Sequence, residues 1–107
     1  MADPFLKTLL EEIGHQLEVA LPQIADRLLP TGKDILRSHA DLLEDWATQA
    51  SIGQLTASDI EWLIRSRMDL SRLQALEATG LSQVEIDLFR QSLTRTLIGL
   101  LVSRIAA

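Results

Sequence analysis

The chain has 107 residues, 47% of them hydrophobic and 23% charged, with no Cys and a net charge of −5. That composition excludes a disordered chain, a disulfide framework and thiolate chemistry, and its acidity argues against a non-specific nucleic-acid binder, which needs a basic patch. The longest apolar run, near Leu97 to Val102, stops at Ser103 and Arg104, whereas a membrane span needs about 20 apolar residues.

The chain opens with Asp3-Pro4, a helix start with Asp as the cap and Pro in the first helical position. Leu6, Leu9, Leu10, Ile13, Leu17, Ala20, Leu21, Ile24 and Leu28 then recur at three and four, the stripe of an amphipathic helix. A first helix over 4–29 is predicted, with a kink near Val19 to Leu21 or a division into two because Pro22 lacks an amide donor. Pro30-Thr31-Gly32 reads as its end.

A second helix is predicted over 33–50, with Ile35, His39, Leu42, Leu43, Trp46, Ala47 and Ala50 facing inward. Gly53 is its stop signal. The third helix, over 57–79, has two candidate capping boxes, Ser58 with Glu61 and Thr56 with Asp59. It carries two apolar stripes: Ile60, Ile64, Met68, Ala75 and Ala78, and Trp62, Leu63, Leu70, Leu73 and Leu76. Gly80 is expected in the left-handed conformation at its end.

Ser82-Gln83-Val84-Glu85 is another capping box and opens a fourth helix over 83–105. The short link at Gly80 to Ser82 makes the last two helices an antiparallel hairpin. On the fourth helix Val84, Leu88, Gln91, Arg95, Ile98, Val102 and Ile105 step by four and three, a heptad seam. Ile86, Phe89, Leu93, Leu97 and Leu100 form a second stripe roughly 170° away. One stripe suffices for a surface helix. Two imply two sets of neighbours, either a second chain or the middle of the chain's own bundle.

Charge is uneven. Residues 1–55 hold four basic and nine acidic residues, and residues 56–107 balance six Arg against six acids without a Lys. Arg is favoured over Lys in interfaces and partly buried ion pairs.

No catalytic constellation emerges. Glu12 and His15 have the Glu-x-x-His spacing of di-iron bundles, yet there is no second copy and both point away from the apolar stripe. His39 lies within an apolar stripe but has no nucleophile partner in the sequence. The expectation is therefore an all-α, four-helix up-down bundle-like domain over 1–107, not an enzyme, with no metal or cofactor. A homo-oligomer, a dimer in first place, is expected to form through Val84, Leu88, Gln91, Arg95, Ile98, Val102, Ile105, Trp62, Leu70 and Leu73. Sharing whole helices would bury more than about 2,000 Å². Arg95 would be at least half buried and paired, Asp69 being the first candidate. The alternatives are an adaptor docking on a different protein and a ligand-binding bundle using His39. The lack of Cys and of a basic-then-apolar opening segment suggests a cytoplasmic protein without a signal peptide.

Overall fold

Phe5, Leu9, Ile13 and Leu17 recur every four residues and are all buried, which aligns the first helix, α1 (Pro4–Ala20), against the core. The computed structural model describes residues 4–105. Asp3, expected to cap α1, lies outside the described residues.

Pro22 divides the first segment. Leu21 N–H still donates to the Leu17 carbonyl at 2.8 Å, and a turn at 21–24 leads into α2 (Ala25–Ser38). The predicted 4–29 helix is thus two helices. The predicted stop at Pro30 to Gly32 is overturned, because all three residues lie inside α2. Pro30 comes one turn into α2 and deprives Asp26 of a single amide partner, while the burial of Leu28, Ile35 and Leu36 holds both sides of it. Gly32 is a contact point rather than a terminator. A Cβ there would lie 3.0 Å from Cζ of the fully buried Phe89.

The predicted 33–50 helix is replaced by the end of α2 and by α3 (Ala40–Ser51), with His39 between them. Ser38 Oγ donates to the Ile35 carbonyl at 2.9 Å, and His39 Nδ1 lies 2.9 Å from the same oxygen. Polar side chains that compete for helix carbonyls in this way bend a helix. Leu43, Trp46, Ala47 and Ala50 turn inward from α3. Gly53 then follows with φ +80°.

Helix α4 (Ala57–Arg67) starts at the Thr56 capping box: Asp59 N–H donates to Thr56 Oγ1 at 3.1 Å, and Thr56 N–H to the Asp59 carboxylate at 3.0 Å. The alternative start at Ser58 is not used. Helix α4 ends at Arg67, not at 79, and the chain resumes as a 3-10 helix, Ser71–Thr79. At three residues per turn, side chains three apart lie over one another. Leu73 and Leu76 therefore share the buried face, while Ala75 and Ala78, expected to continue an apolar stripe, are exposed. Gly80 closes the 3-10 helix at φ +93°, in the left-handed region as expected.

The last helix, α5 (Gln83–Val102), begins at the Ser82 box, with Glu85 N–H donating to Ser82 Oγ at 3.2 Å and Ser82 N–H to Glu85 at 2.9 Å. It runs about 30 Å and ends three residues before the predicted 105. Helices α1, α3 and α4 and the 3-10 helix pack against it, and α2 reaches it through Gly32 and Phe89. One buried apolar cluster runs through all six helical segments. The described residues are all-helical, with five α-helices and a 3-10 helix where four helices were predicted, and contain no strand.

Candidate interaction surface

The two stripes of α5 have different surroundings. Ile86, Phe89, Leu93 and Leu97 are buried and Leu100 is half-buried, so this stripe faces the core. The heptad seam divides in the middle. Ile98 and Val102, and Ile105 just beyond the helix, are half-buried and pack against the core. Val84 is 68% exposed and Leu88 44%, and Gln91 and Arg95 are exposed beside them. The seam thus forms an open patch over the first three turns of α5 and a covered one at its end.

The open half borders a groove against the end of α1. A cavity of about 200 Å³ there is lined by Ala20, Leu21, Leu88, Gln91, Arg95 and Thr96 among others. The residues expected from the hairpin's other arm are placed differently. Trp62 is 59% exposed on α4, with the Arg67 guanidinium 5.8 Å from its ring centre, and Leu70 is half-buried. Leu73 is wholly buried and belongs to the chain's own core, which removes it from the expected contact set.

Arg95 departs from expectation in two ways. It is exposed in the single chain, and the ion pair with Asp69 is absent. The Asp69 carboxylate instead accepts from Ser71 N–H at 2.9 Å, and the bonds from Ser71 hold its pKa below the ordinary value. Sequence reasoning overlooked this turn, although Asp two residues before Ser is a recognisable local turn pattern.

His39 bridges two breaks in helical structure. Asp69 N–H lies 3.2 Å from His39 Nε2. A main-chain amide can only donate, so Nε2 accepts, and Nδ1 carries the hydrogen directed at the Ile35 carbonyl. Both ring nitrogens are engaged within the chain, which gives His39 a structural task and weakens the ligand-binding reading.

Arg27 is a contact that no sequence pattern indicated. From α2 it donates through Nη2 to the Thr79 carbonyl, tying α2 to the turn of the hairpin. It also lowers the Glu85 pKa electrostatically, after the larger effect of the backbone and side-chain bonds of Ser82.

Glu12 accepts a bond from Gln16 at 2.9 Å, and His15 is exposed. Among the described residues no group of three or more His, Asp or Glu is placed to hold a metal ion. Nor is any described helix long and apolar enough to cross a membrane. No family model, no curated protein and no solved structure matches the chain.

Proposed function

We propose that the chain is a small non-enzymatic assembly module that self-associates through the open half of the α5 seam. The observation that carries this reading is the exposure of Val84 and Leu88 in register on α5, four residues apart, with Leu88 on the wall of the α1 groove. Adjacent large apolar side chains on one helix face are a feature of interaction surfaces more than of inert ones. Gln91 and Arg95 follow as polar seam positions, which in helical interfaces fix register and partner number.

The patch is modest. The surface involved is smaller than whole-helix sharing would give, so the association joins folded chains and falls below the obligate class. A different protein with an apolar helix face is the alternative occupant.

Light scattering over a dilution series tests the reading. The expected result is a multiple of 11.9 kDa at high concentration that falls toward the single-chain mass on dilution. Val84→Asp with Leu88→Asp is expected to hold the chain at single mass while leaving its melting temperature unchanged. A single-chain mass at every concentration, or an oligomer indifferent to both substitutions, would overturn the proposal.

A further inference from the structure

On the opposite flank of α5 from the α1 groove lies a cleft of about 420 Å³, between α5 and the break that follows α4. Three arginines line it: Arg65 from α4, and Arg90 and Arg95 from α5. Arg65 uses Nε on Glu61 at 3.1 Å, and Arg90 uses Nη1 on Asp87 at 3.4 Å. A guanidinium has five N–H donors, so both retain free donors, and Arg95 makes no ion pair among the described residues.

Thr94, which also lines the cleft, is the second observation. It is only 8% exposed. A helical threonine usually donates to the carbonyl four residues back, as Thr96 does to Ser92 at 2.9 Å. The Thr94 hydroxyl makes no hydrogen bond among the described residues. Its oxygen is nevertheless not sealed from solvent, and the cleft is the opening it borders. Open to solvent and without a protein partner, the Thr94 hydroxyl can donate to an occupant of the cleft. Ile64 and Leu70 supply apolar wall.

We infer that this cleft binds a small organic oxyanion, a phosphate or carboxylate head on a short apolar body. The arginines would hold the head by charge-assisted bonds and Thr94 would donate one more. The apolar body would lie against Ile64 and Leu70. Arg95 and Gln91 belong both to this cleft and to the seam proposed for self-association, so the two are tested apart by working at a concentration where light scattering gives the single-chain mass.

The test is an NMR titration of the labelled full chain with phenyl phosphate at fixed ionic strength. Inorganic phosphate and phenol serve as the two half-ligands. Saturable shifts are expected at the amides of Leu70, Arg90, Thr94 and Arg95, with inorganic phosphate binding more weakly and phenol more weakly still. Arg95→Gln is expected to weaken phenyl phosphate about tenfold, the effect of losing one charged hydrogen bond. Thr94→Val should weaken it by a smaller factor. Shifts no larger than those caused by chloride, or binding equal to wild type in both Arg95→Gln and an Arg90→Gln/Arg95→Gln pair, would overturn the site. An Arg95-dependent change of mass without any response to phenyl phosphate would assign these arginines to carboxylates of a second copy and also overturn it.

Discussion

Gly32 and Gly80 separate two reasons for a glycine. At Gly32 the backbone is helical, and the constraint is Phe89, 3.0 Å from where a Cβ would be. Ala would gain about 1 kcal/mol of helix propensity. Against that, overpacking a close-packed core costs about 1–3 kcal/mol, and Phe89 is fully buried. Gly32→Ala is therefore expected to destabilise the chain by about 1 kcal/mol. The loss should shrink in a Phe89→Leu background, as a urea-denaturation cycle would show. A stabilised Gly32→Ala would contradict the close approach of α2 and α5. At Gly80 there is room, since the nearest atom to an added Cβ is Arg27 Nη2 at 3.7 Å. The cost there is backbone strain alone at φ +93°. Gly80→Ala should lose about 1 kcal/mol, and a neutral result would show that the hairpin closes in another conformation.

At the scale of the element, α5 is fixed at its start by reciprocal bonds between Ser82 and Glu85. Those bonds lower the Glu85 pKa in the folded chain. A carboxylate with a depressed folded pKa contributes stability above its ordinary, unfolded value and loses it as pH falls through the folded one. Glu85→Gln keeps an acceptor but cannot titrate. The stability difference between wild type and Glu85→Gln should thus be fully present near pH ~6 and smaller near pH ~3. Denaturation midpoints at the two pH values check this, and a difference that does not change with pH would remove Glu85 from the acid response. The junction of α4 with the 3-10 helix is an element-scale feature of another kind. Arg67 to Ser71 contains neither Gly nor Pro. The break is held by Asp69, whose side chain accepts from Ser71 and whose amide donates to His39 across the fold.

For the molecule as a whole, surface area bears on self-association. A folded monomer of 11.9 kDa is expected to expose about 6,000 Å², and this chain exposes 6250 Å². The surface of the single chain is thus of the size a folded monomer of this mass exposes. Arg95→Glu places a carboxylate on an exposed position. It should leave the melting temperature within about 0.5 kcal/mol equivalent of wild type, as surface changes do, while reducing the mass of any assembly. Scanning calorimetry and light scattering on the same sample separate the two effects. A large fall in melting temperature would mean that Arg95 supports the fold of the single chain.

Local chemistry was legible in the sequence because it is written in neighbouring residues. The Ser82 capping box, the left-handed Gly80 and the interruption at Pro22 depend on residues within a turn or two of one another, whereas the same local signals left Thr56 and Ser58 as rival starts for α4 and did not say which stripe of α5 is buried. The open half of the seam could likewise be read from the spacing of Val84, Leu88, Gln91 and Arg95, but its exposure could not. Tertiary structure decided the remainder. Gly32 reads as a stop until Phe89 packs against it, and residues 71–79 read as α-helix until burial selects the spacing of Leu73 and Leu76. His39, Asp69, Arg27 and Thr79 are far apart along the chain, and their bonds exist only once the helices meet. The physical reason is one of range. Propensity and capping act over about four residues, whereas choosing among helix continuation, bend and 3-10 turn is a matter of a few kcal/mol that packing between distant segments supplies.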